Sequence, residues 1–196
     1  GRAFARLLLE DQRIRRHVKK YYYPAGVSKV EIERSGTAIK VIVHCSRPGV
    51  IIGRKGAKVD KLTEELQTFS TGQMQLAIVE ITKPELDAQL VAEAIAEQLE
   101  KRQSFRRVMK KAIETSRNGG ALGIKILVSG RLGGAEIARC EEQGTGKVPL
   151  TTLKADINYG FTEAKTGYGN IGVKVWIYRG EVFGEEPRHE PDAKTR

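Results

Sequence analysis

The sequence of residues 51–62 is IIGRKGAKVDKL, in which Gly53 and Gly56 frame two cationic residues. Glycines at this spacing let the backbone turn tightly and approach a phosphodiester, because no Cβ stands in the way. Gly56 is followed by a helical pattern, and the free N–H groups of a helix start attract anions. Arg54, Lys55 and Lys58 add positive side chains. The stretch predicts a phosphate-binding loop, although a lone pair of such glycines is more often a plain turn.

The segments on both sides of this loop favour the binding interpretation. Residues 3–22 predict a helix, and two alternating apolar runs near 30–43 predict strands joined at Ser35-Gly36. A helix over 57–69 and a strand over 74–82 follow the loop. The apolar spacing around Gly53 and Gly56 resembles the K-homology (KH) RNA-binding motif. The element order resembles the type II arrangement of that domain, which implies RNA binding through Gly53, Arg54, Lys55, Gly56 and Lys58.

Charge points to the same class of partner. The chain has 34 basic and 24 acidic residues, a net charge of +10. Residues 181–196 hold three basic and five acidic residues, so the excess lies in the body of the chain. Excess positive charge of this size favours a polyanionic partner. No apolar run is long enough to span a membrane. The chain opens at Gly1 without a methionine, so we expect residues upstream of it.

The second half of the chain predicts a different packing unit after Lys83-Pro84. Leu86, Leu90, Val91, Ala94, Ile95 and Leu99 predict one helical stripe, and residues 104–117 predict a second helix. Alternating apolar residues near 124–128, 157–161 and 173–177 predict strands. We therefore predict an α+β chain of two domains, the second being two helices on a mainly antiparallel sheet. The predicted bounds are 1–83, 84–184 and a charged tail at 185–196.

The helix over 104–117 has an unusual polar face. Its apolar residues lie on one side, and four cations lie on the other: Arg106, Arg107, Lys110 and Lys111. Acidic partners four residues away are typical of a solvated helix, but most of these cations have cations there instead. A bound polyanion would relieve that repulsion. From the residues alone, a binding face and a generic basic surface remain equally supported.

Other motifs argue against catalysis. Residues 167–172 match GxGxxG, but a strand rather than a helix follows, which disfavours a dinucleotide site. The glycine-rich run 129–139 is adequately explained as a hairpin. Cys45 and Cys140 lie too far apart for a zinc motif or a disulfide framework, which fits a reducing compartment, and we expect Cys140 to pack as a small residue. Trp176 and Tyr178 favour a second packed sheet face over base stacking. We expect no cofactor, no metal and no enzyme activity, including nucleic-acid cleavage.

Several further segments carry a more specific resemblance, which covers about residues 4–184. They resemble the bacterial-type small-subunit ribosomal protein S-three family, known universally as uS-three. The segments are KPELDAQLVAEAIAEQLEKR at 83–102, GRLGGAEIAR at 130–139, KVPLTTLKADINYG at 147–160 and YGNIGVKVWIYRGE at 168–181. The chain departs from the family at residues 140–143, where Cys-Glu-Glu-Gln stands in place of Thr-Glu-Trp-aromatic.

The resemblance implies a structural, RNA-binding role in the head of the small ribosomal subunit. Implied partners are 16S-type rRNA, messenger RNA, the fourth and fifth small-subunit proteins where messenger enters, and the tenth and fourteenth in the head. Neither a membrane nor a small-molecule substrate is implied. By alignment, the resemblance also implies that Arg106, Arg107 and Lys110 take part in unwinding incoming messenger, which favours the binding-face interpretation. The implied location is the cytoplasmic ribosome or a bacterial-type organellar ribosome. The alternative is a free-standing KH adaptor in RNA processing or ribosome assembly.

Overall fold

The computed structural model describes residues 2–36, 38–53, 56–69 and 72–182, except for the side chains of residues 2, 3 and 57. The chain folds into two compact units, Gly1–Pro84 and Glu85–Arg196. The tail predicted at 185–196 lies outside the described residues, so its bounds stay a prediction. Each unit is described by itself below.

Among its described residues, the first unit contains three α-helices and a three-stranded sheet. In chain order the elements are α1 (Arg2–Tyr21), β1 (Val27–Ser35), β2 (Ala38–Cys45), α2 (Pro48–Ile52), α3 (Ala57–Gln67) and β3 (Gln73–Glu80). The strand order is β1-β2-β3, with β2 antiparallel to β1 and parallel to β3. This order of elements confirms the predicted type II arrangement. The parallel pairing leaves α2, the glycine loop and α3 as the crossover between β2 and β3.

Apolar periodicity explains the core of this unit. Ile14 and Val18 of α1 are buried, as are Val41 and Val43, which alternate along β2. Cys45 continues the buried face of β2, whereas His44 points the other way and contacts Glu31. Opposite faces were expected for adjacent strand residues. The buried cluster also includes Ile51, Leu62 and Leu66, which hold α2 and α3 on the sheet.

Up to residue 182, where the described part ends, the second unit contains two α-helices and a four-stranded antiparallel sheet. Its elements are α4 (Ala88–Glu100), α5 (Phe105–Asn118), β4 (Gly123–Gly130), β5 (Arg139–Gly146), β6 (Ala155–Thr166) and β7 (Gly169–Glu181). The strand order is β5-β4-β7-β6, and every neighbouring pair is antiparallel. Both helices pack on one sheet face, α4 on β6 and β7 and α5 on β4 and β5. This confirms the predicted α+β class.

Two sequence predictions for this unit were wrong. Ala94, placed in the buried stripe of α4, is exposed, and Ala88, Ala92 and Ala96 are buried instead. Alanines are buried on this side of α4 because the helix lies very close to β6 at Gly160. Cys140, expected to pack, is exposed, because it lies in β5, an edge strand that was not predicted.

The glycine-rich motifs have the expected structural roles. Residues 131–138 connect β4 to β5 through a short turn, and Arg131 Nε donates to the Ala135 carbonyl at 2.8 Å. Residues 167–168 form the tight turn between β6 and β7. Tyr178 is 8% exposed, and Trp176 packs on Tyr159 at 5.4 Å between ring centroids. That face is only partly packed, because Tyr159 itself is half exposed.

Candidate nucleic-acid interface

The glycine loop joins α2 to α3 in a conformation that requires glycine at both ends. Gly53 has φ 69° and Gly56 has φ 81°, both in the left-handed region that L side chains disfavour. Gly56 is the N-cap of α3 and, having no side chain, forms no capping hydrogen bond to the free N–H groups there. The predicted site residues Arg54 and Lys55 lie outside the described residues. The described part of the loop therefore combines two glycines in the left-handed region with a helix start whose N-cap residue leaves the N–H groups free.

The exposed Lys58, predicted to add positive charge beside the loop, lies against Gly53. Its side chain folds over Gly53, where a Cβ would come within 2.8–3.1 Å of its methylene carbons. Its Nζ donates to the Val50 carbonyl at 3.4 Å, near the end of α2. The contact is exposed and therefore weak. The Lys58 side chain can leave this contact and turn toward an anion.

The basic helix α5 has one buried face and one exposed cationic face, as predicted. Val108, Met109 and Ile113 are at most 8% exposed and fix the helix against the sheet. The residues on the opposite side are all exposed: Arg106, Arg107, Lys110 and Lys111. The structure thus holds these four cations together on one face of a rigid element.

The electrostatics at the start of α5 favour an anion. The first turn contains no acidic residue, and the N-cap Ser104 makes no side-chain capping hydrogen bond. A helix N-terminus carries a partial positive charge, so Arg106 and Arg107 in the first turn oppose the helix dipole. A phosphate there would accept from uncapped N–H groups and neutralise both arginines.

Sequence reasoning missed two residues beside this face. Glu141 on β5 forms ion pairs with Arg106 at 3.5 Å and with Arg139 at 3.3 Å. The guanidinium groups of Arg106 and Arg139 both lie near the Phe105 ring, at 5.5 and 5.7 Å from its centroid. Only the register of the unpredicted β5 brings these groups together. In the described residues, Arg107, Lys110 and Lys111 form no ion pair.

A further cation missed from the sequence lies toward the end of α5. Arg117 lines an open groove between α5 and β5 together with Lys110 and Glu114. At about 100° per residue, Arg117 lies close to the line through Arg106 and Lys110. The helical spacing could have identified it. The cationic face therefore extends over most of the length of α5.

Neither a metal centre nor a membrane span accompanies these features in the part of the chain that is described. None of its helices is long and apolar enough to cross a membrane. Across the same residues, no three side chains of His, Cys, Asp or Glu form a group able to hold a metal ion.

Comparison with known proteins identifies both units. Residues 13–86 match the KH domain, and residues 95–177 match the C-terminal domain of ribosomal protein S3. The small ribosomal subunit protein uS3 of Desulforamulus reducens is 55% identical over 184 residues, covering 94% of this chain and 83% of the relative. The chain belongs to the uS3 family. The Syntrophomonas wolfei protein of that name is 51% identical over 195 residues, covering 100% of this chain and 86% of the relative.

Membership of the uS3 family confirms the resemblance seen in the sequence. The Caulobacter sp. relative is 56% identical over 187 residues, covering 95% of this chain and 75% of the relative. Members of this family are structural, non-enzymatic proteins of the ribosome, which is located in the cytoplasm. A free-standing KH adaptor would account for the first unit only, whereas the uS3 relatives match nearly the whole chain. The two matched domains include the glycine loop and α5, respectively.

Proposed function

We propose that this uS3 chain binds 16S-type rRNA in the small-subunit head and holds incoming messenger RNA with the cationic face of α5. The observation that carries the proposal is the pair Arg106 and Arg107, exposed in a first turn that has no acidic residue. Such an arrangement is unfavourable for an isolated helix and favourable beside a polyanion. Because the chain belongs to a ribosomal protein family, the polyanion in this proposal is RNA.

The geometry suits the backbone of one RNA strand. Arg106, Arg107 and Lys110 lie within about one turn of α5, so they can contact successive phosphates without reading bases. The buried residues Val108 and Met109 hold that turn in place. A strand held in this way resists pairing again with its complement. The movement of messenger through the ribosome would then open the duplex, with no nucleotide site needed in this chain.

Glu141 would act as an exchangeable partner for Arg106. The ion pair is long at 3.5 Å, and the Arg106 side chain is 64% exposed. Exposed pairs of this kind contribute at most about 1 kcal/mol, so a phosphate competes readily. The pair holds Arg106 near the surface of β5 until RNA arrives.

The glycine loop is the proposed contact with RNA in the first unit. Gly53 and Gly56 allow the backbone approach, and Arg54, Lys55 and Lys58 supply charge, with Lys58 leaving the Val50 carbonyl to do so. The proposed protein neighbours are those implied by the family resemblance: the fourth and fifth small-subunit proteins where messenger enters, and the tenth and fourteenth in the head.

The test uses ribosomes that carry the triple variant Arg106→Ala, Arg107→Ala and Lys110→Ala. Translation of a messenger with a stable downstream hairpin is compared with translation of an unstructured one. We expect selective slowing at the hairpin. Loss of three single-strand contacts should also lower the salt slope of RNA binding by about 2.

The matched control removes three exposed lysines outside α5: Lys83, Lys101 and Lys165. This control lowers the net charge by the same amount. Ribosomes that carry it should translate the two messengers at the same ratio of rates as unmodified ribosomes. Equal rates for the triple variant on both messengers would contradict the proposal. So would failure of that variant to enter the subunit, because its side chains point away from the core.

A further inference from the structure

A second cationic surface, in the other unit, is not used by the function proposed above. Helix α1 carries four exposed cations on one side, which we call the α1 stripe: Arg6, Arg13, Arg16 and Lys20. At about 100° and 1.5 Å per residue, the four lie within about 80° of arc and span about 21 Å. They thus form a nearly straight row along the helix.

The packing of α1 fixes the direction in which this stripe points. Ile14 and Val18 are fully buried in the core of the first unit. By helical geometry they lie on a different side of α1 from the stripe. The stripe therefore faces solvent on a helix that the core holds in place.

The two acidic residues of α1 are held away from the stripe. Glu10 lies four residues after Arg6 and three before Arg13, spacings at which it would ordinarily pair with them. Instead, Arg34 of β1 contacts Glu10 at 3.2 Å and Asp11 at 2.6 Å, and a second Arg34 nitrogen donates to Asp11 at 3.0 Å. In the described residues, no member of the stripe forms an ion pair. Arg34 thus leaves the stripe without neutralising partners.

The chemistry of the stripe suits the backbone of double-helical RNA. Arg13 and Arg16, and Arg16 and Lys20, are like-charged pairs at helical contact spacing, so a polyanion relieves their repulsion. Among the residues of α1 whose side chains are described, the only other one within the same arc is Leu9, which is aliphatic. Surfaces for single strands combine cations with aromatic rings that stack on bases. Double-stranded RNA is recognised mainly through its shape, phosphates and 2′-hydroxyls.

We propose that the α1 stripe binds the phosphate backbone of an RNA double helix, independently of the glycine loop and α5. The proposal takes only the class of ligand, RNA, from the proposed function. Arg34 acts as a positioning residue, because it draws Glu10 away from the stripe and, through Glu10 and Asp11, anchors α1 to β1.

The test measures binding of the full chain to a 20-base-pair RNA duplex of mixed sequence over a range of salt concentrations. The stripe variant changes Arg6, Arg13, Arg16 and Lys20 to Ala, which favours helix and leaves the buried side of α1 intact. The control variant changes four other exposed cations of the same unit to Ala: Arg15, Lys29, Lys40 and Lys83. Both variants lose four positive charges.

We expect the stripe variant to bind the duplex at least about tenfold more weakly near 0.1 M salt. Its salt slope should fall by about 3 to 4, compared with less than 1 for the control. A matched charge reversal adds a second test, because Arg13→Glu should weaken binding more than Arg15→Glu on the other side of α1. The proposal would be overturned if the two quadruple variants lost the same affinity for the duplex, or if the unmodified chain did not bind the duplex. Neither outcome changes the result of the hairpin test of α5. Failure of this proposal can therefore be distinguished from failure of the proposed function.

Discussion

At the scale of single residues, Ser116 is the buried polar group with the clearest consequence. Its side chain is fully buried in α5, and its Oγ has no hydrogen-bond partner among the described residues. An unsatisfied buried hydroxyl costs about 1–3 kcal/mol, and alanine is the better helix former. We expect Ser116→Ala to raise the free energy of unfolding by about 1 kcal/mol, measured by urea denaturation. The exposed neighbour variant Thr115→Ala is the control. A loss of stability in Ser116→Ala would show that the hydroxyl has a partner.

Residue positions on a helix could be predicted from the sequence, but pairs across elements could not. The two faces of α5 followed from spacing alone, because a helix repeats every 3.6 residues. The contact of Arg106 with Glu141 depends on how β5 is registered against β4. No local pattern carries that register. The prediction for Cys140 was wrong for the same reason, because the pairing of β5 with β4 could not be predicted from the sequence.

At the scale of elements, the close approach of α4 to β6 depends on Gly160. A Cβ at this position would lie 2.3 Å from the backbone carbonyl group of Ala88. Backbone atoms of a packed helix cannot move aside cheaply, so Gly160→Ala should lower the free energy of unfolding by at least about 2 kcal/mol. Trp176 fluorescence in a urea titration reports the second unit. Gly167→Ala is the matched control, since its Cβ would meet no atom within 4 Å. Equal stability of the two variants would contradict this packing.

Side chains of α4 also cover the outer edge of β6. The Gln89 side chain accepts from the Phe161 N–H at 3.2 Å and donates to the Phe161 carbonyl at 3.2 Å. Glu100 accepts from the Lys165 N–H at 2.9 Å. These contacts satisfy backbone groups that an edge strand would otherwise expose. They help to hold α4 along β6, where its alanines are buried against the sheet.

Elements with strong periodicity could be predicted, whereas β5 could not. Its sequence, RCEEQGTG, has no apolar alternation and contains two glycines. It forms a strand because β4 offers a free edge for eight residues of pairing. Tertiary pairing here overrides a weak local preference. The glycine loop, in contrast, was predictable because its backbone conformation demands specific residues.

At the scale of the whole molecule, the two cysteines report on different regions. Cys140 is exposed, whereas Cys45 is buried, and that burial raises the pKa of its thiol. We expect one thiol to react quickly with a chromogenic disulfide reagent in the native protein and two in denaturant. In Cys140→Ser the fast reaction should disappear. Two fast thiols would contradict the packing of β2, and none in denaturant would indicate a disulfide.

The central claim is that the cationic face of α5 contacts messenger RNA in the ribosome. The most direct measurement places a photoreactive amino acid at Lys111, an exposed position on that face, and assembles the variant into ribosomes. A control carries the same amino acid at the exposed Lys165 of β6. The ribosomes are stalled on labelled messengers that either extend well beyond the decoding site or end close to it. We predict that irradiation cross-links position 111 to the extended messenger and not to the short one, with no cross-link from position 165. Cross-linking of position 111 to rRNA alone, or to both messengers equally, would contradict the account.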